Sequence, residues 1–308
     1  TTTFGGGISR FDGRHFLNFG ETEGLTSNIT RGTVEDKKGR IWFGSLGGGV
    51  FMLDGHKMVN WYDSTMPSSK RIYSLALDKN EHLWFATDSG IYRFDGNKTH
   101  YYGIAQGVEP VPFMHVQCDA QGRVWASGWQ TGIYLFEGNK VYNVRRAGGL
   151  SADTTMFTVT TATGKTYAGT SLGISEVWLE NGTLHAKKIP LNPKVDNQFI
   201  NGMLWDEKAG LWIGTNQAGL VLWRKDGSVM EKNMQHGLPG NNIYALMMDR
   251  EQNLWMSSWG FGISRYKGDA ILSYGKEAGL EDILVNAVLK KKDGSLWILA
   301  GAWLVVVP

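Results

Sequence analysis

The chain has 308 residues, with 31 Lys plus Arg against 29 Asp plus Glu, a net charge of +2 that gives no electrostatic case for binding nucleic acid. Its single cysteine, Cys118, excludes an intramolecular disulfide and a cysteine metal cluster, and no run of about 18 apolar residues is there to span a membrane. The 41 glycines stand well above an average share of about 7%; with 13 tryptophans they argue for many tight turns and buried rings rather than long helices.

Taken in order, the chain repeats one phrase. Thr1-Thr2-Thr3 has none of the basic-then-apolar character of a signal peptide. Gly7 to Gly13 and then His15 to Phe19 read as the later part of a repeat, two strands joined by an Asp12-Gly13 turn. The first full copy runs from Gly39 to Gly55: Ile41-Trp42-Phe43-Gly44-Ser45, a glycine-rich turn, a second short strand, and the Asp54-Gly55 turn. The phrase returns at Leu83-Trp84, Val124-Trp125, Leu211-Trp212, Leu254-Trp255 and Leu296-Trp297, and in a worn form at Thr166-Tyr167. The anchors Trp42, Trp84, Trp125, Tyr167, Trp212, Trp255 and Trp297 are spaced by 42, 41, 42, 45, 43 and 42 residues. A period of roughly 40–50 residues built from short strands predicts a β-propeller with one blade per repeat. Seven anchors predict an all-β, seven-bladed propeller of four-stranded antiparallel blades that uses residues 1–308 as a single domain.

The second repeat shows the four strands: Arg71 to Leu77, His82 to Thr87, Gly90 to Phe94 and Thr99 to Tyr102. Asp95-Gly96 turns the last pair, since Asp-Gly accepts positive φ at low cost, and Asn181-Gly182 and Asp226-Gly227 do the same further on. The anchor rings are expected to fill the wedge between neighbouring blades. Residues 282–308 supply a first strand, a second, and a third at Leu304 to Val307, so residues 1–19 are expected to donate the outer strand of the last blade and close the ring. Ile8–Phe11 and Leu304–Val307 both read as third strands, a surplus that predicts a chain cut from a longer array.

These repeats resemble the two-component regulator propeller repeat. The pattern stands here as Gly24-Leu25-Thr26-Ser27-Asn28-Ile29, then Asp36-Lys37-Lys38-Gly39-Arg40-Ile41-Trp42-Phe43-Gly44-Ser45, then Gly48-Gly49 to Asp54-Gly55, with a second good opening at Gly237-Leu238-Pro239-Gly240-Asn241-Asn242-Ile243. The fourth repeat departs most, with Tyr167 for Trp and Thr161 for Asp. The resemblance implies an extracytoplasmic, periplasmic sensor module of a bacterial signalling protein, often a hybrid histidine kinase responding to oligosaccharides. The expected partner is therefore an oligosaccharide or other small molecule, together with a second propeller or a homodimer mate, and no nucleic acid.

In a meander, alternate turns lie at the same end of a blade, so the loops entering the first strands share a face with the glycine-rich turns between second and third strands. Three of those turns carry tryptophan, Trp129, Trp259 and Trp303, rings suited to stacking on a sugar. The early position of the first strand varies from blade to blade as Arg31, Tyr73, Met114, Met156, Asn201, Tyr244 and Asn286, which predicts a polar ring at the channel mouth. Arg71 and His115 are lesser candidates. A solvent-lined wall without ligand is the plain alternative for the ring, and a turn residue folded over the blade edge is the alternative for the tryptophans.

Catalysis has thin support. The seven histidines show no metal-ligand spacing on one element, no Gly-x-Ser-x-Gly elbow is there, and Gly47-Gly48-Gly49 lacks the Lys-Ser/Thr of a phosphate loop. Turns such as Asp119-Ala120-Gln121-Gly122 offer too few oxygens for calcium and read as turn formers. No catalytic residue, metal or cofactor is expected. The competing expectation is a propeller lyase acting on a polysaccharide or cyclic ester, because streptogramin lyases share a similar Asp-x-x-Gly-x-Leu-Trp phrase; His115 and Glu109 would be its acid–base pair. A third is a protein-interaction scaffold.

Overall fold

The computed structural model describes residues 8–11, 16–27, 29–55, 57–61, 70–249, 251–268, 270–274, 285–290 and 296–300. Six sheets of four antiparallel strands follow one another along the chain, each a simple meander: blade 1 (30–61), blade 2 (72–102), blade 3 (113–144), blade 4 (155–189), blade 5 (200–232) and blade 6 (243–274). The first strand of each blade neighbours the first strand of the next, which sets the blades around an axis.

The expectation of seven blades is corrected: among the described residues the propeller has six blades of four antiparallel strands. The terminal strands instead make two separate two-stranded sheets, Ile8–Phe11 with Phe16–Phe19 and Val285–Lys290 with Leu296–Ala300. Anchor spacing counts repeats, but a blade is a hydrogen-bonded ladder, and the repeat around Trp297 pairs only two strands among the described residues. Val285–Lys290 lies between the inner strands of blades 6 and 1, and Ile8–Phe11 runs beside Leu296–Ala300. The third strand expected at Leu304 to Val307 lies outside the described residues.

Every residue of the second strand is buried in all six blades, Ile41–Ser45 and Leu83–Thr87 among them. A strand covered on both faces loses polar alternation and reads as a continuous apolar run, which is why these segments are so apolar. The anchors pack into cores shared by neighbouring blades. Trp42 lies with Ile72, Leu75 and Phe85 of blade 2, and Trp84 with Phe113, Val116 and Phe136 of blade 3.

The Asp-x-x-Gly turns do more than reverse the chain. Asp36 accepts backbone N–H bonds from Lys38 and Arg40, and its other oxygen takes the Trp42 indole N–H at 3.0 Å. The same indole-to-carboxylate bond joins Trp84 to Asp78 at 3.1 Å, Trp125 to Asp119 at 2.9 Å and Trp255 to Asp249 at 2.8 Å. A buried indole N–H needs an acceptor, and the turn supplies it. The two departures of the fourth repeat are therefore one: Tyr167 needs no acceptor for an indole, and Thr161 provides no carboxylate. His82, read from the sequence as the first residue of the second strand, sits just before that strand and is held half-buried by Asp78 at 3.0 Å.

The Gly-Leu opening of the repeat also has a structural meaning. Short 3-10 turns at Glu21–Glu23, Ile104–Gln106, Arg146–Gly148 and Met234–His236 each end on a glycine with φ between 77° and 105°, a conformation that suits glycine. The next residue, Leu25, Val108, Leu150 or Leu238, is buried and pins the loop to the blade.

Candidate functional site

Each inner strand carries a β-bulge at the same height. The pairing register slips between Arg31 and Thr33, Ile72 and Ser74, Phe113 and His115, Thr155 and Phe157, Ile200 and Gly202, and Ile243 and Leu246. A bulge sets two residues against one on the partner strand and re-aims a side chain. The slips fall on the early positions, and Arg31, Tyr73, Met114, Met156, Asn201 and Tyr244 together line one axial cavity of about 330 Å³. Asn286 stands at a further slip, with its side chain outside what is described.

The cavity wall is part polar and part aromatic. The Arg31 guanidinium lies 6.0 Å from the centroid of the Tyr73 ring. Burial lowers the Arg31 pKa, and the hydroxyls of Tyr73 and Tyr244 act in the opposite sense. Asn201 donates its side-chain amide to Asn242 at 2.8 Å, which fixes its head at the mouth. His115, the second residue of its bulge, lines the cavity against Phe157, with ring centroids 4.7 Å apart, and its Nδ1 faces the Thr158 amide at 3.4 Å. Burial pushes its pKa down to about 4, so the ring is neutral at pH 7.

The two described loop tryptophans flank the mouth. Trp259 is 39% exposed and rests on Tyr244 with ring centroids 5.2 Å apart. Trp129 is 49% exposed, touches Phe199 at 6.0 Å, and lines an open cleft with Glu109, Arg145, Arg146 and Asp153. Phe199 comes two residues before Asn201, so Trp129 reaches the edge of the channel through it. Trp303 lies outside the described residues. Arg71 is exposed, bridges to Leu46 through the backbone, and does not line the cavity.

His115 and Glu109 do not converge. Glu109 is tied to Arg145 at 2.6 Å in the outer cleft, whereas His115 faces the axial cavity among neutral partners. Sequence reasoning also missed Phe199 and the Glu109–Arg145 pair. Phe199 directly precedes the inner strand Ile200–Asp206, and its place at a strand entrance is the signal that marks it.

This arrangement defines a β-propeller with a polar and aromatic pocket on its axis and a tryptophan-bearing rim on one face. Residues 66–89 and 237–260 match the family model described as Two component regulator propeller. No curated protein matches the chain. Among solved structures it is similar to the extracellular domain of a protein from B. thetaiotaomicron described as a hybrid two component system, with a TM-score of 0.73 and 20% identity over 92% of this chain and 38% of that one. It is also similar to a catalytically inactive virginiamycin B lyase from Staphylococcus aureus solved with quinupristin, with a TM-score of 0.72 and 14% identity over 90% of this chain and 93% of that one. At these identities the likeness is one of fold. The chain spans 38% of the length of the matched sensor domain.

Proposed function

We propose that this chain is a non-catalytic, ligand-sensing propeller of a bacterial signal-transduction receptor. In this reading it works outside the cytoplasm, in the periplasm, and takes an oligosaccharide or another small molecule at the tryptophan-bearing face. The observation that carries the reading is the repeated bulge: unlike side chains from six inner strands meet in one cavity of a size that suits a ligand, roughly 300–1,000 Å³. The half-exposed rings of Trp129 and Trp259 add stacking surfaces at its edge. The match to two-component regulator propeller repeats supports the signalling role.

A lyase is the second reading, favoured by the virginiamycin B lyase match that runs along 93% of that enzyme. It fares worse on local chemistry. A general base works best with a pKa near the working pH, and His115 is well below it, while Glu109 is neutralised by Arg145. Calorimetry with a glycan panel, followed by mass spectrometry of the same mixtures, separates the readings. Saturable binding without new product is expected. Accumulating product makes the protein an enzyme, and inertness to the whole panel leaves a protein-interaction scaffold.

A further inference from the structure

We infer that the groove between blades 4 and 5, on the face opposite the axial mouth, is a binding site for a planar aromatic carboxylate. It stands apart from the sensing face and grows out of the worn fourth repeat. The Asp-x-x-Gly turns and the hairpins between third and fourth strands share this face. In blades 1, 2, 3 and 6 the turn aspartate accepts the anchor indole. In blade 4, Thr161 stands in its place; its hydroxyl accepts the Lys165 amide at 3.1 Å and pairs with Thr163 at 2.9 Å.

Two consequences follow for the groove. The anchor is now Tyr167, and two indoles of blade 5 close on it: Trp205 with ring centroids 6.0 Å apart and planes at 27°, and Trp223 at 5.6 Å and 79°. These three rings form the walls of a cavity of about 330 Å³. The charge changes as well. Lys165, Arg224 and Lys225 line the cavity, and no Asp or Glu does among the described residues. The corresponding groove between blades 2 and 3 has the same volume, about 330 Å³, but is lined by Asp78 and Glu137 as well as by cations.

The cations are not equivalent. Lys165 and Lys225 each have a glutamate behind them at 3.8 Å, Glu176 and Glu207. Arg224 is hydrogen-bonded to neutral atoms, the Ser228 hydroxyl at 3.4 Å and the Met230 sulfur at 3.4 Å; the Asp226 carboxyl of the adjoining turn feels its charge, but no carboxylate takes its N–H groups among the described residues. The wall also holds a buried donor with no acceptor among the described residues, the Trp205 indole N–H. Aromatic walls take a flat ring, and a guanidinium whose N–H groups no carboxylate takes can bind one through two parallel N–H bonds. A neutral sugar would leave Arg224 unanswered, and an aliphatic anion would leave the rings unused.

The test is calorimetry of the whole chain with 4-hydroxybenzoate and with its uncharged amide, 4-hydroxybenzamide. The acid is expected to bind at least roughly tenfold more tightly than the amide, and Arg224→Gln to weaken it by a similar factor. Thr161→Asp restores the turn carboxylate that the five other blades carry and is expected to abolish acid binding, with the melting curve showing that the fold is kept. Glycan binding at the other face should be untouched by either variant, so the two sites fail or stand separately. No heat with the acid, equal binding of acid and amide, or acid binding that survives both variants overturns the inference.

Discussion

Asp78 shows how one side chain serves turn, core and pH response together. It accepts the backbone N–H groups of Asn80 and His82, the His82 ring and the Trp84 indole. Burial by itself would raise its pKa, but the bonds from Trp84 and the two amides prevail and hold the carboxyl below its ordinary value. Asp36 is lowered in the same way. A carboxyl whose folded pKa lies below the unfolded value of about 3.9 stabilises the fold above that pH, and the contribution is lost as pH falls through the folded pKa. Stability is therefore expected to drop on acidification below about pH 4. Asp78→Ala strands a buried indole donor and should cost about 1–3 kcal/mol in urea unfolding at pH 7, with a shallower acid limb than the parent. An unchanged midpoint would mean that the indole–carboxylate bond is incidental to blade stability.

At the scale of the strand, the bulge decides what faces the channel. The sequence reading picked out the early position from its mixture of Arg, Tyr, Met and Asn. It did not foresee the mechanism, because a bulge is a property of pairing and leaves no residue type of its own. What it does leave is smallness nearby. Gly44 and Gly169 sit opposite the slips, where an added Cβ would lie 2.5 Å from Ile72 and 2.6 Å from Ile200 of the following blade. On the inner strand of blade 5, a Cβ at Gly202 would meet the Tyr244 carbonyl oxygen at 2.3 Å, a backbone atom that cannot swing away. Gly202→Ala must push blades 5 and 6 apart at the channel, and should cost about 1–3 kcal/mol of stability. Because the displaced carbonyl belongs to a cavity residue, ligand affinity measured by calorimetry should fall as well. A variant with parental stability and affinity would show that the inner strands are looser than this packing implies. The anchors were legible for the opposite reason: a Trp, or once Tyr167, every 41–45 residues is a strong chemical mark, and outside the fourth and last repeats its turn aspartate six residues earlier is written into the same phrase.

For the molecule as a whole, repeat number and blade number part company. The beat of seven anchors is plain in the sequence, yet among the described residues six repeats pair four strands, and the last anchor falls in a two-stranded sheet. Closing a four-stranded blade from the two chain ends would need pairing across hundreds of positions, which no local pattern specifies; among the described residues each end pairs only with its own neighbour strand. The two faces, by contrast, follow from the meander, and three of the exposed rings, Trp129, Trp259 and Phe261, lie in turns between second and third strands, while Tyr101 lies on a fourth strand and Trp178 on a third. Rings left 39–49% exposed contribute little to the fold compared with the buried anchors. Their removal separates recognition from stability. Trp259→Ala uncovers Tyr244 and should weaken the glycan found in the panel by about 1–2 kcal/mol, roughly five- to thirtyfold, with the melting temperature nearly unchanged. Trp129→Ala should do the same if the ligand reaches the outer cleft, and should be silent if it stays on the axis. A large loss of melting temperature with affinity intact would instead assign these rings to the core, and would remove the tryptophan-bearing rim from the sensing face.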